Sequence, residues 1–190
     1  MSQVHPASPS FEPNDTVVLA AVGAVLVGTL VYAGVYDNFL VGALLGGLLM
    51  AASMGVAWVS KGAQGSRLLL PVLGMAMVGL MIHVSRGHNE AHFAVFAFLA
   101  CLTVYRRALP ILMGAGAIAV HHLSFNQFQA WGWGPMCFSE PSFMRVVEHA
   151  LFVVAETAVL LLLAARAKAS FDAAEEIMGI ADHLQAADGR

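Results

Sequence analysis

The chain has 190 residues, 59% of them hydrophobic and 11% charged, with a mean hydropathy of +0.76 and a net charge of −3. A soluble domain carries roughly 25% charged residues, so the composition excludes an ordinary water-soluble domain and points to a membrane. The slightly acidic balance offers no basic face for nucleic acid, and two cysteines, Cys101 and Cys137, argue against a disulfide framework.

The opening MSQVHPASPSFEPND lacks the positive region of a signal peptide. Residues 1–15 are expected to form a short disordered cytoplasmic tail. A membrane span needs about 20 mainly apolar residues, and six segments meet or approach that length: Thr16–Val35, Phe39–Val59, Leu68–Val84, Asn89–Tyr105, Ala108–Phe128 and Phe143–Ala165. The fourth is the shortest and starts with polar residues. The expected fold class is therefore an all-α integral membrane protein, a six-transmembrane-helix bundle over 16–168, with a C-terminal signalling helix over 169–190.

Glycines are dense in the first two spans, where Gly42 and Gly46 make a small-xxx-small pair that allows close helix approach or a homodimer contact. Basic residues collect in alternate loops: Lys61 and Arg67, Arg106 and Arg107, then Arg166 and Lys168. By the positive-inside rule both termini are cytoplasmic. The loop over 126–142, with Trp131 and Trp133, then faces outside, the tryptophans fitting an interfacial belt.

Placed on that topology, the histidines gather in one outer layer. His83 ends the third span, His88 follows it, and His92 is in the first turn of the fourth. His121 and His122 lie about 10 Å from the outer end of the fifth, and His149 about 9 Å into the sixth. Ionisable groups inside a membrane are costly and usually functional. Glu156 lies seven residues past His149 on the same helical face, where it is expected to be neutral, paired or bonded to Thr157.

Imidazole ligates haem iron, copper and zinc. The expected cofactor is haem b, one or two groups, with ligands among His83, His92, His121, His122 and His149. Gly114, Ala115, Gly116, Ala117 and Ala119 leave room for a macrocycle, Phe93, Phe96 and Phe125 could line it, and Arg86 and Arg145 could pair with its propionates. Copper is the alternative, because Met136, Cys137, Met81 and Met144 offer soft sulfur. No HExxH, P-loop or serine-elbow pattern occurs, so no enzyme activity is expected.

The run HVSRGHNEAHFAVFAFLACLTVYRRALPILMGAGAIAVHHLSF, followed by EHALFVVAETAVL, resembles the six-helix membrane input module that precedes chemoreceptor, diguanylate cyclase and histidine kinase outputs in bacteria. The matching positions are His83, His92, His121, His122, His149 and Glu156, across roughly residues 66–168. One departure is Tyr105-Arg106-Arg107-Ala108, where such modules often read Tyr-Arg-Asp-Trp. The resemblance implies a sensory domain in a bacterial inner membrane, of a chemoreceptor first, that signals to a cytoplasmic output domain. After Arg166, Ala173, Ile177, Ile180, Leu184 and Ala187 follow a four-three spacing that suits the start of a coiled coil in a dimer. The expected function is a membrane sensor of redox state or a small ligand. The alternatives are a copper-sensing module at the same histidines and a b-type membrane cytochrome for electron transfer or quinol oxidation.

Overall fold

The computed structural model describes residues 11–188, and every regular element among them is helical. They are α1 Pro13–Val35, α2 Phe39–Ser60, α3 Gln64–Val84, α4 Phe93–Cys101, α5 Ala108–Ala130 and α6 Phe143–Asp188. Short 3-10 turns, Asn89–His92 and Leu102–Tyr105, extend α4 at both ends. Five helices are long and apolar enough to cross a membrane, which makes this a multi-pass membrane protein. The segment Asn89–Tyr105 is apolar but shorter, and only its middle nine residues are α-helical.

The expected tail over 1–15 ends sooner than its sequence suggested. Residues 1–10 lie outside the described part, but α1 begins at Pro13 rather than Thr16. Proline suits a first helical turn because its missing N–H would have no partner there. The Glu12 side chain caps the helix, accepting from the N–H groups of Asn14 and Asp15. Polar composition hid this start, since a capping carboxylate looks the same as a solvated one in sequence. Likewise α3 starts at Gln64, one turn before the expected Leu68.

Burial ranks the helices. Within its apolar window α3 is 61% buried, against 17% for α2 and 11% for α6, so α3 is the hub and the others present broad faces to lipid. It packs on α1, α2 and α5. The core they share includes Val18, Val22, Leu70, Met77, Val78, Ile82, Leu99, Leu102, Ile111 and Ile118. Gly42 and Gly46 are spent inside the chain: a Cβ on Gly42 would stand 2.6 Å from Ala33 Cβ, and one on Gly46 2.6 Å from Leu26 Cδ1. Both face α1, which accounts for the motif without a second copy.

One buried carboxylate ties the α3 start to its neighbours. Asp15 Oδ2 accepts from the Gly62 N–H at 2.9 Å and the Ser66 hydroxyl at 2.7 Å, and Oδ1 accepts from the Tyr105 hydroxyl at 2.8 Å. Hydrogen bonds of this kind offset the cost of burying the group. They bind α1, the α2–α3 turn, α3 and the end of the α4 segment at one end of the bundle.

At 46 residues α6 is unbroken and about 69 Å long. A hydrocarbon core is about 30 Å thick, so the helix extends well past the bundle. The exposed side chains of Ile177, Ile180 and Leu184 lie on that extension, with no described element against them. The side chain of Ala187 is outside the described part.

Candidate metal centre

At the other end, three imidazoles from three segments converge. The ring centroids of His92 and His122 are 5.5 Å apart, those of His92 and His149 5.1 Å, and those of His122 and His149 5.7 Å. Each has its Nδ1 within hydrogen-bond reach of a carbonyl four residues earlier: His92 to His88 at 3.0 Å, His122 to Ile118 at 3.0 Å, His149 to Arg145 at 2.9 Å. A neutral ring carries one N–H, and donating it from Nδ1 leaves Nε2 as a bare acceptor. The same local geometry thus prepares all three rings as ligands, by the backbone carbonyl that typically fixes a metal-binding histidine.

Two of these Nε2 atoms are in unusual positions. His122 Nε2 is buried and has no hydrogen-bond partner. His92 Nε2 is 3.1 Å from the Cys137 carbonyl oxygen, so in the tautomer that satisfies His88 a lone pair faces a lone pair. A cation bound between them would engage both atoms.

The loop between α5 and α6 completes the group. The ligand atoms of His92, His122 and Cys137 all lie within 4.8 Å of one another, and all three residues are buried. Burial pushes the Cys137 thiol up to about 12, so it stays protonated at neutral pH until a cation takes the proton's place. Phe138 stacks on His92 with centroids 5.4 Å apart and planes 5° from parallel.

That loop is held by polar contacts from below. Gln129 Oε1 accepts from the Cys137 N–H at 3.0 Å and Gln129 Nε2 donates to the Phe138 carbonyl at 2.7 Å. The Met136 N–H donates to His83 Nδ1 at 3.0 Å, and the Ser142 N–H to Asn126 Oδ1 at 2.7 Å. Gly87, with φ +75, lies under the loop, where a Cβ would come within 2.4 Å of the Phe138 backbone. The positive φ favours glycine, and the close approach leaves no room for a Cβ.

The predicted residues separate accordingly. His92, His122 and His149 meet. His83 instead supports the loop. His121 turns toward α3, its ring 4.1 Å from Phe125, in space left by Gly79, where a Cβ would be 2.8 Å from the ring nitrogen. His121 Nε2 is buried and unpartnered as well. His88 packs near Tyr32 and Tyr36 and pairs with Glu90, away from the centre. Arg86 donates to the Tyr36 carbonyl at 3.1 Å, and Arg145 approaches the Ser139 hydroxyl at 3.5 Å. Glu156 Oε2 and Thr157 Oγ1 are buried without partners, so the expected bond between them is not formed. Gln129, Asn126 and Gly87 had no signal in the sequence beyond being polar or small in an apolar chain.

An apolar cavity of 710 Å³ opens among the α4 segment, α5 and α6; His92, His122 and His149 all line it, with Phe96, Ala115, Gly116, Ala119 and Val154. Neither Arg86 nor Arg145 borders it. Its size is within the range of cofactor and small-molecule sites, roughly 300–1,000 Å³. The rings themselves suit a smaller guest. Ligands about 2.0–2.1 Å from a tetrahedral ion place imidazole centroids roughly 5 Å apart, close to the spacing here. No family model, curated protein or solved structure matches this chain.

Proposed function

We propose that the chain is a membrane sensory module that binds one thiophilic transition-metal ion, copper first, through His92, His122 and Cys137, with His149 at its edge. The observation that carries this reading is the convergence of three ligand atoms within 4.8 Å, on rings whose Nδ1 atoms are already engaged. Two imidazoles with a thiolate form a soft set that suits copper(I) or zinc. His149 supports the sensory part: it stands on α6, so a ligand change at the centre acts on the same rigid helix that leaves the far end of the bundle. In this reading the segment Asn89–Tyr105 completes six spans, the basic loops face the cytoplasm, and the α6 extension pairs with a second copy and hands the signal to a cytoplasmic output.

The test is elemental analysis and an optical spectrum of full-length protein purified without chelator. About one copper per chain, with no Soret band, is expected. Equimolar zinc in place of copper would change the ion and keep the site. A Soret band without copper or zinc would overturn the reading in favour of haem held by His92, His122 or His149, all of which line the 710 Å³ cavity, the second reading that this cavity supports.

A further inference from the structure

At the end of the bundle opposite the imidazoles, a pocket of 520 Å³ lies between the starts of α3 and α5 and the flank of α6. Its wall carries Arg67, Arg106, Arg107 and Lys168 and no acidic residue. Leu109 and Leu161 form its apolar side. Among the described residues no carboxylate pairs with any of the three arginines, whereas Lys168 shares Asp172. The same four cations also line an adjoining polar recess that carries Glu12, Asp172 and Glu175. Glu12 is engaged in capping α1 and Asp172 with Lys168, so an anion would take the face turned away from that recess.

The arginines are brought together by built features. Arg106 is held at φ 50, a left-handed conformation uncommon outside glycine, directly after Tyr105, which Asp15 anchors. Its guanidinium lies 3.9 Å above the Phe171 ring of α6, a cation–π contact that leaves its edge donors free. Arg67 is in the first turn of α3. Both α3 and α5 begin at this pocket without a side-chain cap, so their free N–H groups and positive dipole ends add to the same field. Solvated basic residues at a membrane surface need no shared concavity, whereas these come from three separate elements to one.

From this we infer a binding site for a phosphate-bearing anion, supplied by the headgroup of an anionic phospholipid. The guanidinium forks match phosphate oxygens. Leu109 and Leu161 would meet the glycerol and first acyl carbons. The pocket joins the α5 start to α6 where that helix leaves the bundle, so an occupied site would pin α6 there. The inference is independent of the metal centre.

The experiment is native mass spectrometry of the full chain with phosphatidylglycerol or phosphatidylcholine. Each surface cation contributes about 1 kcal/mol toward anionic lipid, so R67Q/R107Q should lower phosphatidylglycerol retention roughly thirtyfold. R86Q/R145Q removes the same charge at the other end and should leave retention unchanged. Thermal stabilisation of lipid-free protein by inorganic phosphate, with no lipid preference, would assign the same site to soluble phosphate. Equal losses in both double variants, or none in either, would overturn the site. Should R67Q/R107Q fail to fold, competition between the two lipids for the unaltered chain decides: equal retention is the overturning result.

Discussion

His121 and His122 are adjacent, yet they serve different surroundings. A helix turns about 100° per residue, and here that rotation aims His121 at α3 and Phe125, and His122 at His92 and His149. Replacing His122 with Ala should lower metal affinity at least a hundredfold, as should Cys137→Ser, whereas His121→Ala should change it less than threefold; competition with a chromophoric chelator measures all three. Loss of a supporting partner usually costs 10–100-fold in affinity, so Gln129→Ala should fall between them. Equal effects at His121 and His122 would contradict the one-sided centre. The imidazole layer itself was legible in the sequence, because charge-free spans make each histidine conspicuous. Which rings meet was not, because ring direction depends on helix rotation and on where Gly79 and Gly87 let neighbours approach. Cys137, which joins the two imidazoles within 4.8 Å, carried a signal only as soft sulfur in a loop whose fold no periodicity encodes.

The helices divide into a buried hub, lipid-facing flanks and one long projecting rod. Five of the six expected spans were readable from apolar length, whereas Asn89–Tyr105 is shorter than a span needs; the starts were not readable, since Glu12 and Gln64 resemble loop residues until caps and neighbours are seen. Backbone amides of α3 should exchange with deuterium slowest, and those over 167–181, whose side chains are exposed, fastest; comparable rates would show that the projecting part is covered. The α3–α4 turn supports the loop above it, so Gly87→Ala should destabilise the protein by about 1–3 kcal/mol and loosen the centre. A lowered unfolding midpoint in detergent together with weaker copper retention is the expected pair of results. An unchanged midpoint would mean that the loop readily moves aside.

Across the whole molecule, polarity is split between two ends: imidazoles, thiol and tryptophans at one, Asp15 and the arginine pocket at the other. In a background lacking Cys101 and Cys137, Ala63→Cys and Gly134→Cys should react with an impermeant thiol reagent from opposite sides of sealed vesicles, residue 134 from outside; labelling from one side would undo the transmembrane arrangement. The Asp15 knot also has a consequence for synthesis. Its last donor, Tyr105, is 90 residues downstream, and ribosomes add about 5–20 residues per second. For roughly 5–18 s the first helix therefore waits in or beside the translocon with its carboxylate incompletely satisfied, and the early helices can be locked in place only after the fourth segment has emerged.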